Sequence, residues 1–410
     1  MIYHLNKYKD VEEVQLDLPG SKSLSNRFLI LKALYPELSI DGLSEAEDTR
    51  ILENIILQKD QEIQNVGAAG TAFRFALGYF AMTPGRRMVT GTDRLQKRPI
   101  APLVDALRKL GARIDYAERE GYAPLWVEGV DLEGGEVEVD PSISSQFLTS
   151  LMLIAVQMKN GLTIRFNDPL VSRSYIEMTA WCLREIGAKV EIDTRWVRVH
   201  SLSSLKKKKV WIERDWTSAS YWYSMVSLGA GPRVHLPGLW QNSPQGDSRQ
   251  ALWFEELGVV TRFLDSGITL MPTRSRLGSM RMDLDLHPDL GQTFAVLLAA
   301  KGVEFFLTGL KTLKFKESDR LRALQLELGK FGIETQIDDH SISSKGQIIQ
   351  TSNLEVQTYD DHRMAMAFSV LSLLFPIRIK DPGVVVKSYP NFWEELEKFG
   401  IEILLIDPRS

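Results

Sequence analysis

One phrase recurs along the chain: an amphipathic helix that ends in glycine and turns at once into strand-like alternation. It reads Leu107-Arg-Lys-Leu-Gly-Ala-Arg-Ile, then Leu183-Arg-Glu-Ile-Gly-Ala-Lys-Val, Phe254-Glu-Glu-Leu-Gly-Val-Val, Leu328-Gly-Lys-Phe-Gly-Ile-Glu and Leu396-Glu-Lys-Phe-Gly-Ile-Glu. The glycines, Gly111, Gly187, Gly258, Gly332 and Gly400, lie 76, 71, 74 and 68 residues apart. Glycine directly after a helix takes the left-handed conformation that satisfies the last carbonyls, and the chain then leaves as a strand. Each copy is therefore an α/β module. A degenerate copy, Arg50-Ile-Leu-Glu-Asn-Ile-Ile-Leu, brings the count to six. One or two such phrases occur in any α/β protein. Five at near-constant spacing make a repeat architecture, most simply three modules in each of two domains.

A length of 410 residues, 44% hydrophobic and 25% charged, supports two domains with separate cores. The lysine run 206–209, expected to be a solvated loop, and Val210-Trp-Ile-Glu-Arg fall between the third and fourth modules, which puts the crossover near residue 213. The first strand can pair with either half. A formal charge of -4 gives no basic field for nucleic acid, so an anionic ligand must be held by local cations. The single cysteine, Cys182, excludes an intrachain disulfide and a cysteine-based zinc cluster, and fits a reducing compartment. Residues 1–10 lack the apolar run of a signal peptide, and runs such as 294–300 are too short to span a bilayer. A cytoplasmic protein without membrane or nucleic-acid partners is expected.

Leu18-Pro-Gly-Ser-Lys-Ser-Leu-Ser-Asn-Arg opens a helix that continues apolar through Phe28, Leu29, Ile30 and Leu34. Gly20 admits close backbone approach of a ligand, the serines and free amides point off the helix start, and Lys22 and Arg27 add charge suited to phosphate or carboxylate. Capping accounts for the serines but for neither cation. The spacing is not that of a Walker A loop. Val66-Gly-Ala-Ala-Gly-Thr-Ala-Phe-Arg places glycines before a second helix, over 71–80. In Leu95-Gln-Lys-Arg-Pro-Ile, Pro99 suits the first turn of a helix ending at Leu110, with Arg98 just outside, either a bidentate ligand for an anion or an ordinary surface arginine. Ser144-Ser-Gln-Phe-Leu-Thr and Ser172-Arg-Ser-Tyr-Ile-Glu bring hydroxyls and an amide to helix starts, where they suit a polyhydroxylated phosphate ester or merely cap.

In the second half, Lys316-Glu-Ser-Asp-Arg-Leu is expected to put Lys316, Glu317 and Arg320 on one face of the first turns of a long helix. Thr358-Tyr-Asp-Asp-His-Arg-Met-Ala sets Asp361, His362 and Arg363 at another helix start. Asp289, in Leu286-His-Pro-Asp-Leu, precedes an apolar helix over 293–300 as an N-cap or a functional carboxylate, and Lys387 is the last cation of the set. Singly, capping or surface pairing explains each. Jointly, Lys22, Arg27, Arg98, Lys316, Arg320, Arg363 and Lys387 describe a binder of two multiply anionic substrates, with Asp289 and Glu317 among them for acid/base work.

These strings, together with Ala-Gly-Thr-Ala-Phe-Arg, Lys-Arg-Pro-Ile and Asp-His-Arg-Met-Ala-Met, resemble in order the EPSP synthase family of enolpyruvyl transferases, across residues 18–387. The resemblance implies a two-domain inside-out α/β barrel, each domain made of three βαβαββ repeats. It implies domains of 15–213 and of 1–14 plus 214–410, with substrates held between them. It further implies transfer of the enolpyruvyl group of phosphoenolpyruvate to the 5-hydroxyl of shikimate 3-phosphate in aromatic amino acid biosynthesis, by a monomer with no metal or organic cofactor. Matched by motif, Lys22, Ser23, Arg27, Ser144, Ser145, Gln146, Ser172, Asp289 and Lys316 meet shikimate 3-phosphate. Lys22, Gly70, Arg98, Gln146, Arg320, Arg363 and Lys387 meet phosphoenolpyruvate. Asp289 takes the hydroxyl proton, and Glu317, assisted by Lys22, protonates the methylene carbon.

The chain departs from the family pattern at Ala68 and Thr312, where asparagine is usual, at Arg214, where glycine is usual, and at Trp216, where a small residue is usual. Two other readings stand beside this one. The transferase acting on UDP-N-acetylglucosamine shares the fold but has an early Lys-Asn and usually a reactive loop cysteine. A non-catalytic anion-binding relative would be expected to lack Lys22, Asp289 or Glu317.

Overall fold

All five repeated glycines have positive φ, from 77° at Gly332 to 108° at Gly400, a conformation that costs glycine nothing. In each case a strand follows directly: Arg113–Tyr116, Val190–Ile192, Val259–Leu264, Thr335–Ile337 and Ile401–Ile406. The first four form antiparallel pairs with the next strand along the chain, Leu125–Gly129, Trp196–Val199, Gly267–Pro272 and Ile342–Ser344 respectively. Among the described residues no strand follows the fifth, which pairs instead with Ile2–Lys7. The computed structural model describes residues 1–7, 9–139, 144–166, 173–228, 232–274, 277–346 and 354–406.

Five four-stranded sheets share one pairing pattern, a parallel pair followed by two antiparallel pairs. In the sheet of Gly135–Glu138, for example, that strand runs parallel to Leu162–Arg165, which is antiparallel to Trp196–Val199. Ser279–Asp283, Glu304–Thr308 and Ile342–Ser344 repeat the arrangement. The sixth module, the degenerate copy, has two strands among the described residues, Ser39–Asp41 parallel to Lys209–Trp211. Lys209 therefore belongs to a strand rather than to the expected lysine loop.

The chain forms two compact units, Gly20–Ile212 and Met1–Pro19 with Glu213–Ser410. Compared with the expected crossovers, residues 15–19 and Glu213 go with the second half. Glu13–Gln15 runs parallel to Arg233–Pro237, and the amide of Asp17 donates to Glu395 Oε2 at 2.9 Å. Glu213 is fully buried, and its carboxylate accepts from Trp216 Nε1, the Trp240 amide, Ser243 Oγ and Gln245 Nε2 at 2.6–2.8 Å.

Within each unit the first helix of every module is apolar on nearly all sides and buried: Lys22–Leu34, Gly70–Met82 and Ser145–Ala155 in one, Trp216–Ser227, Gly291–Ala300 and His362–Ser369 in the other. Phe28, Phe73, Phe147 and Leu151 belong to one core, and Trp222, Phe294, Leu297 and Phe368 to the other. Each such side chain contributes about 1.5–3 kcal/mol by leaving water. Apolar sides carry no chemistry, which leaves the helix starts, the segments before them and a few buried polar residues for function. Among the described residues no helix is long and apolar enough to cross a membrane.

Candidate active site

In the unit Gly20–Ile212, Ser21 caps the helix Lys22–Leu34, its hydroxyl accepting from the Leu24 amide. A Cβ at Gly20 would lie 2.2 Å from the carbonyl oxygen of Gly42, so backbone packing by itself requires glycine here. Lys22 Nζ pairs with Asp48 Oδ2 at 3.1 Å. Ser23 is half-buried, while Arg27 is interior, 3% exposed. Arg27 Nε donates to Thr179 Oγ1 at 2.9 Å, Nη1 to the Ser23 carbonyl at 2.7 Å, and Nη2 to the Tyr175 carbonyl at 3.1 Å and Thr149 Oγ1 at 3.5 Å. Burial lowers its pKa, and no carboxylate pairs with it among the described residues. Positive charge is thereby fixed beneath Ser23.

Thr149 lies one turn beyond Gln146 on the helix Ser145–Ala155, which ties this group to a second one. Gln146 Nε2 donates to Thr71 Oγ1 at 3.0 Å, at the start of the helix Gly70–Met82, and Ser144 Oγ accepts from the Gln146 amide at 3.3 Å. A Cβ on Gly70 would stand 2.2 Å from Arg98 Nη1 and 2.9 Å from Arg74 Nη1. Two guanidinium groups thus crowd a helix start that lacks a side chain, and Gln146 reaches the next residue of that helix, Thr71. The helix after Arg98 is Ala101–Lys109, with Pro102 rather than Pro99 in its first turn. Ser172 lies outside the described residues.

In the other unit Asp289 is the hub. Its Oδ1 meets Lys316 Nζ at 3.5 Å and Arg320 Nη1 at 3.2 Å, and its Oδ2 meets Arg363 Nη2 at 2.9 Å. The helix Gly291–Ala300 has Leu290 as its N-cap residue and no side-chain cap, so Asp289 faces cations instead of capping. Glu317 Oε2 holds Arg320 Nη2 at 2.6 Å. Lys316 and Glu317 do not sit on the helix as expected: Asp319 accepts from the Arg322 amide and starts the helix at Arg320, leaving both in the preceding segment. Asp361, fully buried, caps the helix His362–Ser369 and accepts from Arg320 Nε at 2.7 Å. Lys387 Nζ is on Asp360, at 2.6 Å from Oδ1 and 2.8 Å from the carbonyl.

Burial alone would raise the Asp289 pKa, but Arg363, Lys316 and Arg320 outweigh it and hold this carboxyl well below the usual carboxylate range. Burial pushes Lys316 down against the pull of Asp289. Burial also opposes the charged form of Arg320, yet Asp361 and Glu317 push its pKa up. Lys316, Arg320 and Arg363 face Asp289, Glu317 and Asp361, three charges against three. Such a cluster can hold anions without a net surplus of charge and keeps two carboxylates beside the bound groups. Sequence reasoning passed over Asp48 and Arg74. The available signals were an acid in the first turn of Glu47–Leu57 and a lone arginine inside the otherwise apolar helix Gly70–Met82.

Repeated mixed sheets in two units, with cations and acids at the starts of buried helices, define a two-domain anion-binding α/β protein. The solved EPSP synthase of Acinetobacter baumannii matches 98% of this chain and 100% of its own with a TM-score of 0.78 at 20% identity, and so has the same fold, the inside-out α/β barrel. The family model for EPSP synthase (3-phosphoshikimate 1-carboxyvinyltransferase) matches residues 44–396. A 3-phosphoshikimate 1-carboxyvinyltransferase of Bacteroides fragilis is 40% identical over 95% of this chain and 96% of its own length. One from Sulfurovum sp. is 34% identical over 95% and 97%. The chain belongs to the EPSP synthase family.

Proposed function

We propose that the chain transfers the enolpyruvyl group of phosphoenolpyruvate to the 5-hydroxyl of shikimate 3-phosphate, with release of phosphate. The observation that carries this reading is the near-full-length likeness to 3-phosphoshikimate 1-carboxyvinyltransferases, and the Asp289 cluster supports it with carboxylates and cations of the kinds the reaction needs. Lys22, Ser23, Ser144, Ser145, Gln146, Ser172, Asp289 and Lys316 are assigned to shikimate 3-phosphate, with Arg27 acting from the interior. Lys22, Gly70, Arg98, Gln146, Arg320, Arg363 and Lys387 are assigned to phosphoenolpyruvate.

In this scheme Glu317, with Lys22 assisting, delivers a proton to the methylene carbon, and the neighbouring carbon becomes cationic. Asp289 accepts the hydroxyl proton as the 5-oxygen bonds to that carbon. Loss of the methyl proton and of phosphate from the tetrahedral adduct then gives the enol ether. With three cations turned on it, Asp289 is a weak base. Substrate anions that draw Lys316, Arg320 and Arg363 toward themselves raise its basicity, which couples proton abstraction to occupancy.

The acceptor UDP-N-acetylglucosamine has no support here, since Cys182 is buried in the helix Arg173–Glu185 and burial pushes its thiol up to about 12. Asp289→Asn and Glu317→Gln are each expected to lower kcat by about 100- to 10,000-fold with circular dichroism unchanged. Near-normal turnover by both variants would contradict the assignment.

A further inference from the structure

Tyr359 and Asp360 are consecutive non-glycine residues in the left-handed region, with φ of 54° and 57°. A bulky aromatic residue adopts that conformation only where its surroundings impose it, and such strain concentrates at functional sites. The pair immediately precedes Asp361 and Arg363, so its conformation sets where the Arg320 acceptor and the second arginine of the cluster stand. Two restraints act on it. On one side lies Glu327, fully buried on the helix Arg320–Lys330 and seven residues after Arg320, hence on the same face. Its Oε1 accepts from the Tyr359 hydroxyl at 2.6 Å, and its Oε2 accepts from the Gln357 amide at 3.0 Å and from Lys330 Nζ at 2.6 Å. On the other side Lys387 grips both the carbonyl and the carboxylate of Asp360.

Core packing does not explain this. The Tyr359 side chain is 37% exposed, yet its hydroxyl reaches a buried carboxylate. Burial and the Glu327 acceptor both push the tyrosine pKa up, so the hydroxyl remains a donor at any physiological pH.

We propose that Glu327 and Tyr359 are positioning residues for phosphoenolpyruvate: their hydrogen bond holds the left-handed turn that aligns Arg363 and, through Asp361, Arg320. The proposal rests on the function given above. It is tested with the full chain by titrating phosphoenolpyruvate and, separately, shikimate 3-phosphate against tryptophan fluorescence, which requires no turnover. Tyr359→Phe keeps the ring and removes only the hydroxyl. Affinity for phosphoenolpyruvate is expected to fall about tenfold. Affinity for shikimate 3-phosphate should stay within about twofold, and the melting temperature within about 2 °C.

Unchanged phosphoenolpyruvate affinity in Tyr359→Phe, or a parallel loss of both affinities with the melting temperature, overturns the positioning role alone. Failure of the wild-type chain to bind phosphoenolpyruvate overturns the functional reading as well.

Discussion

Replacing Gly70 by alanine tests the phosphoenolpyruvate assignment with the smallest possible change. The new Cβ would lie 2.2 Å from Arg98 Nη1, 2.7 Å from its Cζ and 2.9 Å from Arg74 Nη1. Comfortable contact needs about 3.5 Å, so the Arg98 guanidinium must retreat by roughly an ångström. Both obstacles are ends of flexible side chains, and alanine in a helix gains about 0.5–1 kcal/mol over glycine, so folding stability should barely change. An anion held by Arg98 instead loses a charge-assisted hydrogen bond of about 1.5–3 kcal/mol, or roughly 10- to 150-fold in KM for phosphoenolpyruvate. Phosphate release at saturating shikimate 3-phosphate measures this directly, with a calorimetric melting curve alongside. If the effect runs through Arg98, then in an Arg98→Ala background Gly70→Ala should raise KM no more than about twofold further. An unchanged KM, a melting temperature lowered by more than about 4 °C, or full additivity with Arg98→Ala would refute the reasoning.

Two further outcomes follow from burial and charge. Cys182, its thiol pushed up to about 12 by burial, stays protonated at pH 8, so iodoacetamide should leave it unmodified in the folded chain and alkylate it in urea; mass spectrometry of native protein showing alkylation with loss of activity would contradict this. Asp289 has a folded pKa below its unfolded value of about 3.9, so its ion cluster contributes stability that is fully present above that value and lost as pH falls below it. Asp289→Asn should therefore show its largest urea-unfolding deficit at pH 7, and the deficit should shrink below about pH 4. A deficit independent of pH would contradict the cluster.

The module boundaries were legible in the sequence because one residue type reports one backbone conformation: a glycine after an apolar helix periodicity gave a left-handed turn five times out of five. Pairing partners were not legible. Ile2–Lys7 joins Ile377–Lys380 and Ile401–Ile406 across nearly the whole chain, and no local pattern in six residues encodes that. The charged strings named residues that the structure groups together, such as Lys316, Arg320, Arg363 and Asp289, but not the contacts between them. Asp289 could be read as a cap or as a functional acid, and only the structure shows that it faces Lys316, Arg320 and Arg363 and does not cap. Lys316 and Glu317 were assigned to a helix that Asp319 starts a turn later, because periodicity fixes a helix face better than its first residue. At Gly20 the packing need for glycine was not legible, since Gly42, whose carbonyl a Cβ would meet, lies 22 residues further along the chain.

The measurement that bears most directly on the functional claim is phosphate release from phosphoenolpyruvate by the purified chain, with shikimate 3-phosphate and, separately, UDP-N-acetylglucosamine as acceptor. Release with shikimate 3-phosphate alone, abolished by Glu317→Gln, is predicted. Release with only the nucleotide sugar, or with neither acceptor, would contradict the account.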